Sequence, residues 1–214
     1  GVSDTLDTVE TGSSAQVVAK MLRVLFPDAA TVLDATHSKG KFWGTETAHL
    51  RVIGTDLDPA GAKDARADFT RLPFLSGSVD VVVVDPPFLW DEGKTNRSIM
   101  GKRFSTYRSE QHAIETVQNG AREAWRVARI GVIVKCQDFC HASKKVWMSQ
   151  WLREAIPVEP YDAVHLVGRS KVIDPKWTGS QLTAWSNSTS FLTWRKGDQR
   201  HIRRRRPAAL EVAS

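Results

Sequence analysis

Val79-Asp80-Val81-Val82-Val83-Val84-Asp85-Pro86-Pro87-Phe88 is the run on which the reading of this chain turns. Its apolar core lacks polar alternation, the pattern of a strand covered on both faces. The run then stops in a carboxylate, two rigid prolines and an aromatic ring. Proline fixes φ and carries no backbone N–H, so the Asp85 carboxylate and the Pro86 carbonyl are expected to converge as two acceptors with no competing donor from Pro87. An exocyclic base amine offers two matching hydrogens. Phe88 would supply a stacking face for a base taken out of a duplex.

Outward from that strand, apolar runs alternate with helical stretches, which predicts an α/β domain with a mostly parallel sheet and helices on both faces. Ser13 or Ser14 can cap a helix in which Val17, Val18, Met21, Leu22 and Leu25 recur at helical spacing, ending before Pro27. Residues 31–35 and 52–56 read as the first two strands, a short third ends near Asp68, and 79–85 is the fourth. Residues 89–108 read as a long loop, 109–128 as a helix and 132–136 as a fifth strand introduced by Gly131. Residues 144–155 are expected to be helical with Val146, Trp147 and Trp151 buried, followed by strands at 163–167 and 190–194. Trp185 and Trp194 are also expected to serve in packing.

The 214 residues suffice for one sizeable core, divided into a polar leader (1–12), one catalytic domain (13–196) and a basic tail (197–214). Apolar residues at 41% and charged residues at 25% exclude a disordered chain. No apolar stretch approaches bilayer length and the acidic N-terminus does not resemble a signal peptide, so the expectation is a cytoplasmic protein without a membrane partner. Cys136 and Cys140 are too few for a disulfide framework or a zinc site, and no metal is expected. Residues 195–206 hold seven basic side chains, Arg203, Arg204, Arg205 and Arg206 among them, against Asp198 alone. This segment accounts for the whole net charge of +6. It reads either as a phosphate-contacting arm or as a solvated terminus. Loop residues Lys94, Arg97, Lys102 and Arg103, interleaved with Trp90, Phe104 and Tyr107, would either clamp a strand by charge and stacking or form an ordinary surface loop.

Each of the first four strands ends in an aspartate: Asp34, Asp56, Asp68 and Asp85. Ligands of open α/β sheets bind at the carboxyl ends of strands where strand order reverses, so these side chains are expected to ring one crevice. A pyrophosphate would be repelled there, and no G-x-G-x-x-G follows the first strand. S-adenosylmethionine, with its cationic centre, ammonium, ribose diol and adenine amine, meets acceptors throughout. Asp56 would take the ribose hydroxyls, Asp68 the adenine amine, and Asp34 would lie near the methionine end and organise its loop. The competing reading makes one or two of these helix caps, as for Asp58 before Pro59.

The ordered motifs Val32-Leu33-Asp34-Ala35-Thr36-His37-Ser38-Lys39-Gly40, Val52-Ile53-Gly54-Thr55-Asp56, Leu72-Pro73-Phe74 with Gly77-Ser78-Val79-Asp80, and Asp85-Pro86-Pro87-Phe88 resemble class I S-adenosylmethionine-dependent methyltransferases. More narrowly, they resemble the D-P-P-[YF] amino-methyltransferases that act on adenine N6 or cytosine N4 in DNA, or on guanine N2 in some RNA enzymes, with small prokaryotic and phage adenine methylases nearest in pattern. The resemblance implies a single Rossmann-like methyltransferase domain. It assigns Asp34, Ala35, Thr36, Ser38, Gly40, Asp56, Leu57, Asp68, Phe69 and Asp85 to the cofactor, and Asp85, Pro86, Pro87 and Phe88 to the target amine. The implied partner is nucleic acid, DNA first, with a homo-oligomer or a separate recognition subunit left open. The family loop D-x-[FG]-x-G-x-G is altered here: Thr36 and Ser38 occupy two expected positions and Gly40 alone remains. That alteration keeps a catalytically degenerate nucleic-acid-binding module as an alternative, and an RNA base methyltransferase (guanine N2 or adenine N6) is another, because a neutral body with a basic arm does not separate DNA from RNA. Lys39, Lys41, Phe42 and Trp43 would form a lid or the first turn of a following helix.

Overall fold

The computed structural model describes residues 5–87, 107–141, 144–167 and 188–197. An eight-stranded sheet forms the middle layer, built in chain order from β1 (Val9–Glu10), β2 (Thr31–Asp34), β3 (Arg51–Asp56), β4 (Ala65–Arg66), β5 (Val79–Val84), β6 (Ala128–Cys136), β9 (Asp162–Val167) and β10 (Ser188–Arg195). Their order across the sheet is β1-β9-β10-β6-β5-β2-β3-β4. The stretch from β4 to β6 is parallel, and β10 runs antiparallel to both of its neighbours. After β2 the chain builds β3 and β4 on one side and returns to lay β5 on the other. The reversal of strand order therefore falls between β2 and β5.

Alternate residues of the buried strands face two separate cores. Helix α1 (Ser14–Leu25) puts Val17, Val18, Met21, Leu22 and Leu25 against Val32, Val81, Val83, Ile133 and Phe191. Helices α2 (Glu110–Val127) and α3 (Met148–Ala155) cover the other face, where Leu33, Val82, Val84, Val132, Val134 and Leu192 lie. All six residues of β5 are buried, which is why its sequence is nearly uniform valine. Helix α1 starts with a capping box: Ser13 accepts from the Gln16 backbone N–H, and the Gln16 side chain accepts from that of Ser13.

Several expectations are corrected. Residues 144–155 do not form one helix: Lys144–Val146 is a strand, β8, paired antiparallel with β7 (Phe139–His141), and only Met148–Ala155 is helical. Asp138 sets this start by accepting the Ser149 backbone N–H at 2.9 Å and its hydroxyl at 2.8 Å. Trp147, expected to be buried, is 54% exposed, whereas Trp151 and Trp194 are buried as expected. Within the polar leader, Val9–Glu10 pairs with β9 and Glu10 is ion-paired to Lys20 at 2.9 Å. No α-helix follows β2; a single 3-10 turn, Thr45–Thr47, interrupts an irregular connection. Positive φ at Ser38 (47°) and Gly40 (62°) prevents a helix from starting there. The third strand is shorter than expected, ending at Arg66 rather than near Asp68.

Candidate functional site

Asp34 ends β2, Asp56 ends β3 and Asp85 follows β5, so three of the four aspartates stand on adjacent parallel strands at the reversal of strand order. The connection after β2 ties them together. Thr36 donates its N–H to Asp34 at 3.1 Å, Ser38 donates its N–H to Asp56 Oδ2 at 2.9 Å, and the Thr36 hydroxyl accepts the Asp85 N–H at 2.7 Å. The Ala35 N–H donates to the Val83 carbonyl, which fastens the same connection to β5. Asp68 stands apart: it is exposed beyond the edge strand β4, with its carboxylate closing a turn onto the N–H and hydroxyl of Thr70.

Asp34 is buried, and both its oxygens are occupied, Oδ2 by the Trp43 indole N–H at 2.7 Å. Buried in this way, it organises the loop and is closed to a ligand. Burial is the largest influence on its carboxyl and pushes it up to about 6, against the hydrogen bonds from Trp43 and Thr36. Because the folded value lies above the unfolded one, this group makes the fold less stable as pH rises from about 4 to 6. The full effect is about 3 kcal/mol. Asp34→Asn is expected to flatten that slope, measured as urea unfolding free energy at pH 4.5 and pH 7.5 (about the two ends of the window); an unchanged slope would remove Asp34 as its source.

Asp56 is half-buried and accepts one backbone N–H on each oxygen, from Ser38 and from Asp58. Each oxygen keeps a further lone pair. Asp58 caps no helix; it accepts the Ala60 N–H in a tight turn. Leu57 beside Asp56 is 54% exposed, an apolar face next to an acceptor pair. Phe69 is committed elsewhere: a Cβ added at Gly120 of α2 would lie 2.1 Å from its ring. Gly40 has a comparable reason to be glycine, since a Cβ there would meet the His37 ring at 2.8 Å. His37 also lies against Gly54, and its Nδ1 is 3.2 Å from the Gly61 carbonyl.

Lys135, near the end of β6, is the residue that sequence reasoning left without a role. Its ammonium pairs with Asp85 Oδ2 at 2.7 Å and stands 5.6 Å over the Phe42 ring. Asp85 Oδ1 accepts no hydrogen bond from the described residues. Burial raises the Asp85 carboxyl, and Lys135 opposes that rise. The one signal in the sequence was a lone cation closing the apolar run Val132-Ile133-Val134. Pro86 is buried and Pro87 half-buried, and no described N–H donates to the Pro86 carbonyl. Phe42 is buried and Trp43 half-buried, their rings edge to face at 6.4 Å, so they form a wall of the site rather than a helical turn.

Two concavities among the described residues are not centred on the carboxylates. One, about 260 Å³, lies behind Phe42 and Trp43 against Ala15, Gln16 and Ala19 of α1. The other, about 300 Å³, lies between α2 and α3 and shares no residue with the site. Phe88, Lys94, Arg97, Lys102, Arg103, Arg203, Arg204, Arg205 and Arg206 lie outside the described residues, as do Trp90, Phe104 and Trp185. Tyr107, expected in a stacking clamp, is instead buried in the core beside the His112 ring. Burial pushes the Cys136 thiol up, away from reactivity. Among the described residues no group of three or more metal-ligating side chains gathers, and no helix is long and apolar enough to cross a membrane.

No protein-family model matches the sequence, and none of the curated proteins does. Among solved structures, the chain is similar to TrmN from Thermus thermophilus, with 16% identity and a TM-score of 0.50 over 85% of this chain and 48% of that one. It thus spans about half the length of that protein. It is also similar to Burkholderia thailandensis 1,6-didemethyltoxoflavin-N1-methyltransferase, with 16% identity, a TM-score of 0.49 and coverage of 86% and 79%. A TehB-like SAM-dependent methyltransferase from Corynebacterium glutamicum gives 15% identity, a TM-score of 0.46 and coverage of 84% and 86%. At such identities the likeness is one of fold. The chain has the Rossmann-like methyltransferase fold.

Proposed function

We propose that this chain is an S-adenosylmethionine-dependent methyltransferase acting on an exocyclic amine of a nucleic-acid base, adenine N6 in DNA first. The observation that carries the reading is Asp85: a carboxylate with one oxygen ion-paired and the other without a donor among the described residues, followed by a proline carbonyl with no described donor, at the reversal of strand order. The donor set beside it fits the cofactor. Asp56 has lone pairs left for a diol and adjoins the exposed Leu57, and the cluster of acidic groups suits a cationic ligand. Asp34 and Gly40 serve this reading indirectly, by shaping the loop, and Phe69 by packing on α2.

The cofactor, when bound, supplies a methyl group already activated on a sulfonium. The chain's own work is alignment of the acceptor nitrogen and exclusion of water. Two hydrogen bonds, to Asp85 Oδ1 and the Pro86 carbonyl, would draw the amine lone pair out of the ring toward the methyl carbon. The N–C bond forms as the S–C bond breaks, and the nitrogen then releases one proton to solvent. A base inside a duplex cannot enter such a pocket, so the target is flipped out or single-stranded.

The test is incubation with methyl-labelled cofactor and separate DNA and RNA pools, followed by digestion to nucleosides. Label in N6-methyl-2′-deoxyadenosine from DNA supports the reading, and label in an RNA nucleoside redirects it to RNA. Label in neither, together with no heat on calorimetric titration with S-adenosylmethionine, leaves the degenerate binding module. The basic arm enters the same proposal as a sequence-independent phosphate contact. Deleting Arg203, Arg204, Arg205 and Arg206 is expected to weaken nucleic-acid binding and to lower the slope of log affinity against log salt by about 3. A slope unchanged by the deletion would make the arm a bystander.

A further inference from the structure

Lys135 and Asp85 stand 50 positions apart in sequence yet share one hydrogen bond on adjacent parallel strands, at the mouth of the acceptor pocket. Lys135 is not held there by solvation alone. Its side chain is 24% exposed and its ammonium lies over the buried Phe42 ring, while Asp85 is 30% exposed. A partly buried ammonium placed on one carboxylate oxygen does two things. It fixes the rotation of the carboxylate, and it stabilises the ionised form against the cost of burial.

We propose that Lys135 is the positioning residue of the acceptor pocket, holding Asp85 ionised and turned by Oδ2 so that Oδ1 alone is offered to the incoming amine. The inference rests on the proposed reading of the site. It assigns to this chain a way of keeping an acceptor-only carboxylate in a position where burial favours the protonated acid, which would present a hydrogen to the amine instead of accepting one. Among the described residues, the charged groups around Asp85 are few. Lys135 faces it from β6, Asp34 adds a nearby negative charge from β2, and His37 acts on Asp34 from the connection beyond. Among the described residues, Lys135 is the cation on which that ionisation depends.

The experiment pairs Lys135→Met with Lys135→Arg. Carbon-13 titration of the Asp85 carboxyl in the resting protein, which needs no substrate, is expected to move to higher pH in Lys135→Met by about one unit or more and to stay within about 0.3 units of the parent in Lys135→Arg. An Asp85 titration unmoved in Lys135→Met overturns the inference, whatever the protein methylates. In single-turnover transfer, the acid limb of kcat against pH should shift upward in Lys135→Met, with a loss of about tenfold at neutral pH that is recovered in alkali. A loss equal at every pH would mark Lys135 as merely structural and also overturn the inference. If the parent protein transfers no methyl group to any base while Asp85 still follows Lys135 in the titration, the functional reading fails and the coupling stands.

Discussion

Asp85→Ala is expected to lower methyl transfer by about a hundred- to a thousandfold, the range for removing one preorganised hydrogen-bonding group that acts on developing charge. The affinity for S-adenosylmethionine is expected to stay within about twofold, since the acceptor face and not the ribose side is altered. The structure separates the two effects. Asp85 is joined to the cofactor loop by its backbone N–H, donated to Thr36 at 2.7 Å, and alanine keeps that bond. What it removes is the carboxylate, and with it the partner of Lys135. Because both side chains reach water, the lost pair should cost less than about 1 kcal/mol of stability, so lower activity would not reflect unfolding. Asp85→Asn is the sharper variant. Its amide keeps the shape but turns an N–H toward either Lys135 or the amine, so it should lose nearly as much. Single-turnover rates with calorimetric cofactor affinities measure both quantities. Undiminished transfer in Asp85→Ala would remove the assignment.

Much of this arrangement was legible in the sequence because the strands that carry it are buried on both faces. Val81, Val82, Val83 and Val84 leave no alternative to a central strand, and a capping residue such as Ser13 before helically spaced apolar residues marks the start of α1. The ends of β2, β3 and β5 could therefore be located, and the aspartates with them. What escaped were relations between segments. Lys135 meets Asp85 only because β6 lies beside β5, a pairing that no local pattern announces. His37 settles between Gly40 and Gly54, so Gly40, which read as a cofactor residue, makes room for an imidazole. The β7–β8 hairpin was missed for a different reason. Val146, Trp147 and Trp151 read as the buried face of one helix, and only the distant Asp138 shows why the helix begins after Trp147. Asp68 looked like the other strand-terminal aspartates, but β4 is two residues long and already over, so its carboxylate closes a turn instead.

At the opposite end of the sheet, Asp80 makes a second prediction, this time about stability. Its side chain is 8% exposed and binds three strands together: Oδ2 accepts the N–H groups of Ala30 and Thr31 at 2.9 Å each, just where β2 begins, and Oδ1 accepts from Arg129 in β6. The Thr31 hydroxyl accepts the Asp80 N–H in return. Burial works to raise the Asp80 carboxyl, but the backbone donors of Ala30 and Thr31, with Arg129, outweigh it and hold the group below its usual value. A lowered folded value means that this stabilisation is present above the unfolded value near 3.8 and is lost as pH falls through the folded one. Asp80→Ala would leave two backbone N–H groups without acceptors at the start of the central strand, besides the unpaired guanidinium. The expected cost is about 3 to 5 kcal/mol. Arg129→Ala is the control. The guanidinium side chain is 61% exposed, so its removal should cost less than about 1 kcal/mol. Equal losses in the two variants, measured by urea unfolding at neutral pH, would mean that the lost stability belongs to the ion pair between β5 and β6 and not to the backbone clasp between β5 and β2. A large loss for Asp80→Ala alone would identify the clasp as what keeps Asp34 and Asp85 in register at the far ends of the same two strands.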